Sequence, residues 1–269
     1  MIHQYIDGYK LINWKLIKNE NNLGYRKNFK KGLEIVDGDI IFLSDQDDRW
    51  HLNKIEVMVE KMRQSNILSL ASSFNFMDQD GNCFEVNKIK GRSNNNLLFK
   101  EVTEELTEID LKSLLEMNFS QGCCMAIKKE VKDEYLKVTQ GKLPHDWELN
   151  IISAIQNGCY YLDIPLIDYR IHNNNISKGC SSDFIIQNLD EKYKIYNLAR
   201  NMSNFRDKIT ENWLNEQMFL TLDYYISESP TNFKDYMKII KWINKNIKHK
   251  RYLQINNVIK RSIKKYISR

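Results

Sequence analysis

Three carboxylates fall within four residues at Asp45-Gln46-Asp47-Asp48, directly after the apolar run Ile40-Ile41-Phe42-Leu43 and before Arg49-Trp50. Oxygen donors packed this closely suit a hard divalent cation, because Mg²⁺ and Mn²⁺ take carboxylate oxygens and keep positions open for water and phosphate. The same residues suit a solvated turn that starts the next helix, since Asp is favoured in turns and in a first helical turn. From the cluster alone both readings stand. Its position bears on the choice: an apolar run bounded by Gly38-Asp39 reads as a strand buried on both faces, and in open α/β sheets ligands bind at the carboxyl ends of such strands.

The elements that must hold the cluster follow from periodicity. Residues 12–18 have the composition of a strand, which Asn21-Asn22 ends. Tyr25, Phe29, Leu33 and Val36 then recur at helical spacing, so 12–18, 24–36 and 39–44 read as a right-handed βαβ unit with parallel pairing. Leu52, Ile55, Met58, Val59 and Met62 predict a helix over 51–65, and 67–76 a further strand. Asp78 and Asp80-Gly81 look acidic but read as a hairpin turn rather than a ligand site. Residues 87–107 form a long surface excursion. A helix over 110–117 leads into an apolar strand through Gly122, which allows close backbone approach, with Cys123 and Cys124 in the core. Pro144-His145-Asp146-Trp147 opens another helix, with Asp146 as its cap or first-turn residue. Strands over 160–162 and 164–171 follow, and helical patterns dominate from Ser182 onward.

Composition sets the bounds. The chain has 269 residues, 42% of them apolar, enough for a sizeable core and too apolar for a disordered chain. No run approaches the roughly 18 apolar residues of a membrane helix, and the start lacks the segments of a secretory signal, so an intracellular protein is expected. Five cysteines without a CxxC pair argue against a disulfide framework or a zinc site. The net charge of +5 conceals an asymmetry, because residues 236–269 carry eleven Lys and Arg and no acidic residue, leaving −6 for residues 1–235.

Four patches, taken in order, resemble the inverting family 2 glycosyltransferases of GT-A fold, in particular rhamnosyltransferase-like members that build surface polysaccharide. They are NNLGYRKNF, DGDIIFLSDQDDRWHLNKI, FSQGCCMAI with PHDWELNIISAIQNG, and PLIDYRIHNNNIS. The resemblance implies an α/β fold with a mostly parallel sheet, helices on both faces, a transferase domain over 1–180 and a helical region over 181–269. It places Asp45 and Asp48 beside the nucleotide, with Asn22, Gly24 and Asn28 on the strand-to-helix loop nearby. Asp47 and His172 would hold Mg²⁺ or Mn²⁺ on the diphosphate, and Asp146 would be the catalytic base. A dTDP- or UDP-sugar donor and a glycan or lipid-linked acceptor are the implied partners. Chemically the set is coherent: a cation neutralises the departing diphosphate, and a carboxylate takes the proton of a weakly nucleophilic hydroxyl.

Family members begin with a strand bearing a Thr-Tyr-Asn-like turn and a second strand ending in an Asp-Asp-Gly-Ser-like motif, and neither is found in this chain. The expectation is therefore a domain lacking its first βαβ unit, on the order of 40 residues, with an exposed sheet edge open to another chain. A catalytically inactive or incomplete fragment acting as a partner protein is the alternative function. The basic tail, with Ile239, Ile240, Ile243 and Ile247 on one face, reads either as a helix on anionic lipid at the inner face of the cell membrane or as a face packed on the core. Nucleic-acid binding lacks a recognition motif, and a metal-dependent phosphoryl transferase or nuclease is the rival enzyme class.

Overall fold

The computed structural model describes residues 2–98, 100–171, 182–202 and 241. Their elements run α1 (Ile2–Gly8), α2 (Gly24–Ile35), β1 (Ile40–Phe42), β2 (Arg49–Trp50), α3 (Lys54–Met62), β3 (Ser69–Met77), β4 (Cys83–Phe84) and β5 (Leu106–Glu108). After these come α4 (Leu111–Glu116), β6 (Met125–Lys128), α5 (Lys129–Val138), α6 (His145–Ile155), β7 (Cys159–Arg170) and α7 (Ser182–Asn201).

The strands form one seven-stranded sheet of order β1-β6-β3-β7-β2, with β4 beside β3 and β5 beside β7. Among the described residues β3 and β7 are the parallel neighbours, while β6 runs antiparallel between β1 and β3. The expected parallel sense therefore holds for the direction shared by β1, β3 and β7, and fails for adjacency, so the sheet is mixed. The shared direction puts the carboxyl ends of all three on one edge, and antiparallel β6 begins at that same edge.

Helices cover both faces. On one, Leu114 and Leu115 of α4, Val131 and Tyr135 of α5, Leu149, Ile151 and Ile152 of α6, and Ile195 and Ala199 of α7 share a core. On the other, Met58 and Met62 of α3 bury against Leu70, Ala126, Leu162 and Leu166, each methionine contributing about 1.5–3 kcal/mol by removal from water. The face of α3 is rotated from the sequence expectation. Lys54 is fully buried, whereas Leu52 is fully exposed and Ile55 half-exposed, and the Cys123 carbonyl that Lys54 reaches at the sheet edge offsets part of its desolvation.

Residues 12–18 are not a strand: Ile12, Trp14, Leu16 and Ile17 are exposed, and β1 takes β6 as its neighbour. Apolar content without a pairing partner does not make a strand. Helix α1 likewise buries no residue. The turn at 78–82 forms as expected, with Asp78 accepting the Asn82 amide at 2.9 Å. Helix α5 has no counterpart in the sequence reading. The basic tail with Ile239, Ile240, Ile243 and Ile247 lies outside the described residues.

Candidate functional site

The acidic loop leaves β1 and is braced from β7, where alternate residues point to one face. Asp168 lies opposite Arg49 on β2 and opposite Asn75 on β3. Its carboxylate accepts Arg49 Nε at 2.8 Å, His51 Nε2 at 2.9 Å and Asn75 Nδ2 at 3.0 Å. Burial alone would raise its pKa, but these three donors outweigh burial and hold it at about 2. Two residues on, the Arg170 amide donates to Asp48 Oδ1 at 2.9 Å and its Nε to the Asp47 carbonyl at 2.8 Å. Its Nη1 reaches the Asp78 and Gln79 carbonyls, both at 2.9 Å. The turn set aside as a ligand site thus acts as an anchor for the acidic loop.

Within the loop, Asp45 and Asp48 converge on Cys123, which ends the short 3₁₀ turn Gly122–Cys124 together with Cys124. One ligand atom from each of the three lies within 4.8 Å of the other two. Burial, then the charges of Asp48 and Asp47, push Asp45 up to about 6. Burial likewise raises Asp48, against the Arg170 amide and the Cys123 thiol, and its Oδ2 is buried without a partner at ordinary hydrogen-bond geometry. An orphaned buried carboxylate oxygen facing a second carboxylate is what a cation site would contain, so these residues fit a divalent ion. Lys54 closes the site from below, its Nζ donating to the Cys123 carbonyl at 2.6 Å and lying 4.1 Å from the Trp50 ring centroid.

Asp146 stands in the first turn of α6, where the helix dipole favours an anion. It accepts the Trp147 amide at 2.9 Å and Asn118 Nδ2 at 3.1 Å, and Asn150 in turn donates to Asn118 Oδ1 at 3.1 Å. Burial pushes its pKa up to about 6; the Trp147 amide and Asn118 oppose the rise and the Asp45 charge adds to it. The last effect places Asp146 in the field of the acidic loop. Beside it, His145 is buried, stacks on Phe29 of α2 at 3.8 Å between ring centroids, and has neither ring nitrogen partnered. Burial lowers its pKa to about 3, so the ring is neutral. Its Nε2 presses on Gly122, where a Cβ would come within 2.6 Å, which accounts for the glycine.

The structure thus brings together Asp45, Asp48 and Asp146, the last through its electrostatic coupling to Asp45. Asp47 is half-buried on the same loop. His172 lies outside the described residues. Asn22, Gly24 and Asn28 are exposed around the start of α2, where Asn22 Oδ1 accepts the Gly24 amide at 2.8 Å and Asn28 Oδ1 accepts Asn19 Nδ2 at 2.7 Å. Sequence reasoning missed the roles of Asp168, Arg170, Asn118 and Lys54. The two-residue spacing of Asp168 and Arg170 within a strand was the available signal.

A family model, Glycosyl transferase family 2, matches residues 1–136, and the chain belongs to that family. Over 203 residues it is 29% identical to the dTDP-rhamnosyl transferase RfbG of Shigella flexneri, covering 70% of this chain and 61% of that protein. Its fold matches the crystal structure of S. aureus TarS 1-349 in complex with UDP-GlcNAc at a TM-score of 0.57 and 15% identity, covering 96% of this chain and 66% of the other. The fold is therefore an α/β, GT-A-like one, and the chain spans less than two thirds of the length of either protein. No helix among the described residues is long and apolar enough to cross a membrane.

Proposed function

We propose that this chain serves metal-dependent transfer of a sugar from a dTDP- or UDP-sugar to a glycan or lipid-linked acceptor, with inversion, in surface polysaccharide biosynthesis. The observation that carries the reading is the pairing of Asp146, a carboxylate with a pKa of about 6, with the cluster of Asp45 and Asp48 at the carboxyl edge of β1. Asp146 takes the proton of the acceptor hydroxyl as that oxygen bonds to the anomeric carbon, and the nucleoside diphosphate leaves from the opposite face. Asp45 and Asp48 would hold the cation, joined by Asp47 and His172 as the family resemblance implies. When bound, Mg²⁺ or Mn²⁺ supplies Lewis-acid neutralisation of the diphosphate. Arg170 and Asp168 keep the loop that carries these ligands in place, and Asn22, Gly24 and Asn28 line the approach to the nucleotide.

The names of the relatives guide the choice of donor. Calorimetry with Mn²⁺ and a panel including dTDP-rhamnose and UDP-GlcNAc is expected to give binding of one of them that is lost in Asp45→Asn with Asp48→Asn. No binding of any nucleotide sugar would sink the reading. One observation favours a second one, in which the chain is a catalytically inactive transferase that works as a partner protein. Among the described residues β1 is an edge strand, and Ile12, Trp14 and Ile17 are exposed. Donor binding without turnover until a second polypeptide is added would favour that alternative.

A further inference from the structure

Nothing in the transferase reading requires a cysteine at position 123. Yet Cys123 is fully buried, and its sulfur lies within 4.8 Å of a carboxylate oxygen of Asp45 and of Asp48. Ligand atoms this close can be bridged by one ion, since metal–oxygen bonds near 2.1 Å and metal–sulfur bonds near 2.3 Å leave ligand atoms roughly 3–4 Å apart. The Asp48 oxygen not taken by the Arg170 amide is buried, with the Cys123 thiol as the group that faces Asp48. The cysteine is also fixed in place, its carbonyl held by Lys54 at 2.6 Å and the preceding Gly122 pressed against His145. Its neighbour Cys124 lies outside the group of converging ligand atoms, with Sγ 3.8 Å from Gln121 Oε1 and its thiol paired with that of Cys123.

We propose that Cys123 is a direct ligand of the cation this site takes, forming with Asp45 and Asp48 a mixed carboxylate and thiolate centre. The inference rests on the transferase reading of the same site and adds to it the class of ion. A sulfur ligand selects borderline ions such as Zn²⁺ and Co²⁺ over Mg²⁺ and Mn²⁺, which favour oxygen. As the sulfur–metal bond forms, the thiol proton passes to solvent.

The test is titration of the full chain with Co²⁺ under reducing conditions. A sulfur-to-cobalt charge-transfer band in the near ultraviolet is expected, saturating at one ion per chain, abolished by Cys123→Ser and retained by Cys124→Ser. In Cys123→Ser the affinity for Co²⁺ or Cd²⁺ falls by about 10–100-fold, while that for Mg²⁺ is unchanged. Cobalt binding without the band, a band that survives Cys123→Ser, or no binding of Co²⁺ overturns the proposal. If Cys123→Ser does not fold, the ¹¹³Cd chemical shift of the parent chain decides, and a value in the oxygen-only range overturns it. Nucleotide-sugar binding in Mg²⁺ with no thiolate signal removes the cysteine and leaves the transferase. A thiolate signal without nucleotide-sugar binding does the reverse.

Discussion

Asp168 and Asp146 are two carboxylates withdrawn from water at the same edge of the sheet, and their surroundings drive them in opposite directions. Asp168 has three side-chain donors, two from the neighbouring strands and one from His51 just after β2, and is held at about 2. Asp146 has one side-chain donor and one amide, sits in the field of Asp45, and is raised to about 6. Burial is common to both, so it is the supply of donors that separates an anchor from a base. A saturated carboxylate stays charged and fixes geometry, whereas an undersupplied one is free to exchange a proton near neutral pH.

The difference can be broken first at its catalytic side. Asp146→Asn should lower the transfer rate by about 10²–10⁴-fold, the usual contribution of a general base, with little change in melting temperature. Transfer that survives in Asp146→Asn would return the residue to a helix cap. On the other side, Asp168→Ala leaves Arg49, His51 and Asn75 without their shared acceptor and should cost about 3 kcal/mol in urea denaturation. The depressed pKa of Asp168 also fixes the sign of its acid response. Its contribution, about 2 kcal/mol from the shift, is complete above pH 4 and is lost as the pH falls towards about 2.

A third carboxylate sharpens the contrast. Glu148 is buried, receives Thr139 Oγ1 at 2.9 Å, and is pushed by burial up to about 7. Its ionisation therefore opposes folding increasingly from about pH 4 to above 7, so Glu148→Gln should be more stable than the parent at pH 8 by about 1–2 kcal/mol and equal to it at pH 4. A thermal melt at the two pH values measures this. The smallest effect belongs to Asn118→Ala, which removes a donor that lowers Asp146. The pH midpoint of transfer, expected near 6 with activity rising as the base loses its proton, should move up by a few tenths of a unit. A midpoint that does not move would mean that Asn118 does not tune the base.

The acidic loop, the decoy turn after β3 and the helix opened by Pro144 were legible because local rules govern them: an apolar run, turn chemistry, a first-turn carboxylate. Gly122 was legible as a point of close approach. The Asp168 brace was not, because Arg49, His51 and Asn75 lie 119, 117 and 93 residues away in sequence and meet only through strand register. The face of α3 was misplaced for a related reason: Lys54 looks like a surface residue until the Cys123 carbonyl and Trp50 ring are in place. Residues 12–18 show the reverse failure, since strand composition cannot supply a neighbour to pair with.

The contact between Gly122 and His145 also constrains how such a chain can change over generations. A methyl group at position 122 would lie 2.6 Å from His145 Nε2, so a side chain is admissible there only after position 145 has become smaller. The two substitutions should be strongly epistatic, with Gly122→Ala harmful in the presence of the histidine and far milder in its absence. Because the other order must pass through the clash, the two states are connected only through the intermediate that has glycine at 122 and a smaller residue at 145.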